Sequence, residues 1–163
     1  MAYGHVANKK RRMSAVPHSI EGACTTMECQ KLTPETFFDG LLAAISLETT
    51  DNVIEGEPTE VHRAFYRVLK ELRKDNTLNV DLFDVDYDPL YGQSGWFDRA
   101  LTTAQRNAVL GFANPGYKKI TIKYTPQESK AILEPLRAEG EFRRLARVFT
   151  NSLKNAAPRG SSL

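Results

Sequence analysis

Two apolar periods organise the chain from Thr33 onward. Phe37, Phe38, Leu41, Leu42 and Ile45 recur at three- and four-residue intervals behind Thr33, which suits a helix cap, and Pro34, which suits the first helical position. A helix is therefore predicted from there to about Leu47. The stretch ETTDNVIEGEP that follows is polar, and it reads as a loop holding at most a short apolar plug at Val53 and Ile54. From Pro58 to about Lys74 the period is helical again. Val61, Phe65, Val68, Leu69 and Leu72 form one stripe, while Arg63, Arg67, Lys70, Arg73 and Lys74 take the wet side and the C-terminal end, where cations are favoured.

At Thr77 the period changes to two. Val80 and Leu82 alternate with Asn79 and Asp81; after a one-residue slip, Phe83, Val85 and Tyr87 alternate with Asp84, Asp86 and Asp88. The pattern predicts a strand with a bulge, ended by Pro89. The turn LYGQSG leads into a third predicted helix, from Ser94 or Gly95 to Phe112, with Phe97, Leu101, Ala104 and Ala108 on one side. Gly111 and Asn114-Pro115-Gly116 stop it, and Tyr117 to Tyr124 reads as a second strand, Ile120, Ile122 and Tyr124 alternating with Lys119, Thr121 and Lys123. Thr125-Pro126-Gln127-Glu128 has the form of a capping box and opens a fourth helix that Pro135 bends or ends. Gly140 separates it from a fifth, Glu141 to about Lys154, with Phe142, Leu145, Ala146, Phe149 and Leu153 on its core face. These elements predict an α+β, helix-rich fold: a winged-helix-like domain with five helices and a small two-stranded sheet. Residues 32–155 form the single domain, residues 1–31 a flexible basic arm without apolar period, and residues 156–163 a disordered tail.

Composition narrows the class. With 163 residues, 41% of them hydrophobic, the chain can fill one core without staples. Its longest apolar stretch, near Leu41–Leu47, is far shorter than the ~20 residues of a membrane span, and the basic N-terminus has no apolar run behind it, so no membrane anchor or secretory signal is expected. Cys24 and Cys29 are the sole cysteines, which fits a reducing, cytoplasmic setting better than a disulfide framework or a zinc site. The net charge of +2 conceals an asymmetry. Residues 1–31 carry five bases and two acids, residues 32–74 five and eight, residues 75–98 none and six, and residues 99–163 twelve and four. Either two faces of opposite potential result, or the acidic stretch sits beside the basic helices of its own fold or of a second copy.

Little catalytic chemistry is encoded. Asp84, Asp86 and Asp88 open like a calcium loop, but the sixth and twelfth positions, where that loop needs glycine and glutamate, hold Pro89 and Gly95. The aspartates instead read as the solvated face of an edge strand. His5 and His18 lie in the arm, and His62 is expected on the surface of the second helix rather than as a general base. No hydrolase elbow, phosphate-binding glycine loop or zinc-protease motif occurs, so a non-catalytic binding module without cofactor or metal is expected.

The stretch YGQSGWFDRALTTAQRNAVLGFANPGYKKITIKYT, residues 91–125, supplies a turn, a helix, a tight reversal and a basic strand after a helix pair. That order is compatible with a winged helix, in which the third helix enters the DNA major groove and the wing touches phosphates. On this reading Arg99, Thr102, Thr103, Gln105 and Arg106 face the groove and Lys118, Lys119 and Lys123 contact phosphates, helped by Lys9-Lys10-Arg11-Arg12 in the arm. The YG-x-S turn, the V-L-G-F segment and the strand followed by T-P-x-E-x-K resemble the winged-helix-like, phage-associated domains of Panacea-type antitoxins. The resemblance implies a small regulator that binds DNA or a protein partner. A protein-interaction or homodimerisation module without nucleic-acid binding stands as the alternative.

Overall fold

The computed structural model describes residues 31–75, 77–113 and 118–156; residues 1–30 of the predicted arm, Tyr117 and residues 157–163 lie outside them. Along the chain run α1 (Pro34–Glu48), β1 (Val53–Glu55), α2 (Pro58–Asp75), α3 (Gly95–Arg106), β2 (Leu110–Ala113), β3 (Lys119–Ile122), α4 (Pro126–Leu133) with a 3-10 turn at Glu134–Leu136, and α5 (Glu139–Ala156). The three strands form one antiparallel sheet in the order β1-β3-β2. Helix–strand–helix–helix–strand–strand, with the first strand added beside the last, is a winged-helix-like arrangement within an α+β, helix-rich fold. Two helices, α4 and α5, extend it.

Local chemistry explains the boundaries. The Thr33 hydroxyl accepts from the Thr36 N–H with Pro34 at the first position of α1, and Ser94 accepts from Phe97 at the start of α3. Both halves of the Thr125–Glu128 capping box form at α4. Pro135 ends that helix in the 3-10 turn, and Arg137 takes a left-handed φ of 51° before α5. Gly140 falls inside the first turn of α5 rather than before it.

Three expectations are corrected. The apolar plug Val53–Ile54 is a strand, so the sheet has three strands and not two: Ile54 is buried opposite Ile120. The third helix ends at Arg106, not Phe112. Ala108 adopts φ 58°, which breaks the helix, and Leu110 and Phe112 then alternate inward on β2. Thr77–Tyr87 is not a strand. The sheet consists of β1, β3 and β2 alone, and this aspartate-rich segment crosses the surface as an irregular connection with isolated bridges at Leu32–Val80 and Asp88–Gln93. Leu78 and Val85 are its buried anchors, and Tyr87 stacks on Tyr66 of α2 with ring centroids 4.0 Å apart.

The core lies between α1, α2 and α5 on one side and the inner face of the sheet on the other. Gly40 lets α1 approach α5 closely: a Cβ there would stand 2.7 Å from Phe142 Cε1. Nearer α3, Phe65 stacks on Phe97 at 4.2 Å, and Phe38 meets Phe65, Trp96 and Phe97 edge-on. This aromatic cluster fixes α3 on α1 and α2. Among the described residues no helix is long and apolar enough to cross a membrane.

Candidate macromolecule-binding surface

The N-terminus of α3 is held by three side chains. Ser94 caps it and is itself fully buried. The Ser94 N–H donates to Nδ1 of His62 at 2.9 Å, which requires Nδ1 to be unprotonated; Nε2 therefore carries the proton and donates to Asp98 Oδ1 at 3.0 Å. His62 is 4% exposed, correcting its expected place on the helix surface. The ring is a structural strut between α2 and α3, with both nitrogens occupied. Asp86 completes the set, its carboxylate accepting from the Trp96 and Gly95 N–H groups at 2.9 and 3.3 Å. The bond from Trp96 is the largest cause holding the Asp86 carboxyl below its ordinary pKa. The orphan donors that a helix N-terminus could offer to a phosphate are thus partly taken by an internal anion.

All eight residues predicted to meet DNA are exposed. Arg99, Thr102, Thr103 and Arg106 share one stripe of α3 at spacings of three and four; Gln105 is offset towards a small cleft of about 210 Å³ that also takes in Leu101 and Phe112. Lys118, Lys119 and Lys123 lie on or beside β3, in the hairpin that corresponds to a wing. Two of these lysines have partners at home. Lys118 Nζ is 2.7 Å from Glu57 and Lys119 Nζ 3.2 Å from Glu55, and the Glu57 carboxylate raises the Lys118 pKa. Lys123 lies across Gly111. Residues 32–124, the winged unit, hold ten bases against fourteen acids, and Asp86 and Asp98 both sit at the leading end of α3.

The basic residues of α5 do not neutralise the acidic connection. Arg143 pairs with Glu48 and Glu139, Arg144 with Glu141, Asp75 and Glu71, and Arg147 with Glu48. Their partners belong to α1, α2 and α5 itself. Among the described residues, the one ion pair made by Asp81–Asp88 is with Lys31, at 2.8 Å. The aspartates have become loop chemistry: Asp88 accepts from the Leu90 and Tyr91 N–H groups, Asp81 from Phe83, and Asp86 from α3.

The same connection carries three exposed large apolar side chains: Phe83 at 93%, Leu90 at 82% and Tyr91 at 70%. Sequence reasoning missed them because it placed Phe83 on the buried face of a strand and Leu90 and Tyr91 in a turn. The available signal was aspartate at four of the eight positions 81–88, a residue depleted in strands and favoured in turns. Among the described residues no group of three or more histidine, cysteine, aspartate or glutamate side chains is placed to hold a metal ion. Comparison of the chain with protein-family models, with curated proteins and with solved structures finds no match.

Proposed function

We propose that this domain is a non-catalytic binding module whose partner is a protein, received on the α2–α3 connection, in keeping with the regulatory, antitoxin-like role implied by the sequence resemblance. The observation that carries this reading is the exposure of Phe83, Leu90 and Tyr91 on a segment packed to the body through Val85 and Tyr87. Aromatic and aliphatic side chains held out from a positioned loop are the usual anchors of protein recognition, and each needs a pocket on the partner to leave water. The acids around them favour a partner with a basic surface and steer its approach.

Duplex DNA is the competing partner, and the stripe Arg99–Thr102–Thr103–Arg106 favours it. Its weakness is electrostatic. DNA affinity comes chiefly from phosphate neutralisation, yet the winged unit is acidic, two of three hairpin lysines are already paired, and the end of α3 that would enter the groove carries Asp86 and Asp98.

A labelled random duplex titrated from about 50 to 200 mM salt decides between them. The protein reading expects at most weak, non-specific binding that survives Lys118→Ala/Lys119→Ala/Lys123→Ala with little change. Tight binding at the upper salt, weakened by those substitutions and by Arg99→Ala/Arg106→Ala, sinks the protein reading and establishes the winged-helix one.

A further inference from the structure

We infer that the acidic connection receives the chain's own basic segment, Lys9-Lys10-Arg11-Arg12, as an intramolecular ligand; the inference rests on the connection being a docking surface, as proposed above. Four observations lead there. First, the chain enters the fold beside the connection. The Leu32 N–H donates to the Asn79 carbonyl at 2.7 Å, the Asp81 N–H donates to the Leu32 carbonyl at 2.9 Å, and Lys31 pairs with Asp81. Residues N-terminal to Lys31 therefore start next to the aspartates.

Second, an open cleft of about 640 Å³ lies at that junction. Glu35, Asp81 and Asp84 supply its carboxylates, Lys31 and Arg99 its bases, and Trp96 part of its wall. Third, the charges are complementary: the segment carries four consecutive bases and the connection holds Asp81, Asp84, Asp86 and Asp88, while Arg143, Arg144 and Arg147 of α5 are committed to other acids. The basic segment is also flanked by Val6, Met13 and Val16, apolar side chains of the kind that Phe83, Leu90 and Tyr91 would cover, while arginine guanidinium groups pack on aromatic faces. Fourth, the reach is sufficient. From Arg12 to Lys31 the chain can span at most ~65 Å, more than the width of a domain of this size.

Such docking places the arm where an external basic partner would bind, so the arm is a built-in competitor that any partner must displace. It also withholds the arm's four charges from nucleic acid.

Zero-length carbodiimide cross-linking of the full-length protein, with peptides mapped by mass spectrometry, tests this. A mixture of isotope-labelled and unlabelled chains separates links within one chain from links between two. The expected products join Lys9 or Lys10 to Asp84 or Asp88 within one chain. They should fall about fivefold or more in ~0.5 M salt, where charges more than a few ångströms apart are screened, and in the Phe83→Ser/Leu90→Ser variant, whose exposed positions carry no core packing. Links from Lys9 and Lys10 no more frequent to the connection than to exposed Glu134 overturn the inference while leaving the surface available to an external protein. Links that join different chains overturn it in favour of a second copy. Links that persist undiminished in Phe83→Ser/Leu90→Ser overturn the assignment of the apolar side chains, and with it the reading on which the inference rests.

Discussion

His62→Ala removes the strut between α2 and α3, and its cost can be worked from two contributions. Ser94 is fully buried, so its N–H, which donates to His62 Nδ1, would be left without an acceptor at a cost of about 1–3 kcal/mol. Deleting most of a buried ring that sits edge-on to Phe97 at 5.0 Å adds about 2 kcal/mol of lost packing. A total near 3–5 kcal/mol is a large part of the stability of a single domain. The bond to Asp98 adds little, because that carboxylate is more than half exposed and screened by water. His62→Asn separates the contributions: the amide oxygen of asparagine occupies roughly the place of Nδ1, so it can accept from Ser94 while still losing the rest of the ring. It should therefore be more stable than His62→Ala by about 1–2 kcal/mol, a shift of about 0.5–1 M in the urea midpoint at unchanged m. Equal midpoints for the two variants would refute the assignment of the Ser94 bond as the main role of the ring.

Other positions give independent checks. Asp86→Ala should destabilise by about 1 kcal/mol near neutral pH, less than a buried cap because water reaches the carboxylate. Its folded pKa lies below the unfolded value of about 3.9, so its contribution is complete above that value and is lost as pH falls through the lower one; the gap between wild type and Asp86→Ala in chemical denaturation should close on acidification across that window. At Gly40→Ala two effects compete: helix propensity improves by about 1 kcal/mol, but the new methyl collides with Phe142, a fully buried ring set against Phe37, at about 1–3 kcal/mol. A net destabilisation of about 0–2 kcal/mol is expected in thermal or urea unfolding, and a stabilised variant would mean that Phe142 can move aside. Phe83→Ser/Leu90→Ser should leave the unfolding midpoint within about 0.5 kcal/mol of wild type, since neither side chain is buried.

The helices were legible because each carries its own period and its own punctuation. Thr33-Pro34, Thr125-Pro126-Gln127-Glu128 and Pro135 act within a few residues of where they stand, and the structure uses all three. The errors lie where a local pattern needed a distant partner. Val53-Ile54-Glu55 is too short to announce a strand until β3 lies beside it, and Leu110-Gly111-Phe112 continues a helical apolar count until Ala108 turns left-handed. The alternating aspartates mimicked a strand because Val85 and Tyr87 do face inward, while nothing in their spacing shows that the sheet consists of β1, β3 and β2 alone. The same limit applies to the surface. Exposure of Arg99, Arg106 and Lys123 followed from helix and strand faces, but the pairing of Lys118 with Glu57 and the burial of His62 under Ser94 are tertiary facts.

Whether Phe83, Leu90 and Tyr91 form a protein-docking surface is decided by quantitative affinity capture from nuclease-treated extracts of cells that make this protein. Wild type, Phe83→Ser/Leu90→Ser/Tyr91→Ser and Arg99→Ala/Arg106→Ala would be compared side by side. A stoichiometric protein partner is expected, retained by wild type and by Arg99→Ala/Arg106→Ala and reduced about tenfold or more in the triple variant, as loss of hot-spot side chains requires. A partner retained equally by the triple variant, or released by Arg99→Ala/Arg106→Ala instead, would contradict that expectation and move the binding surface to the exposed stripe of α3.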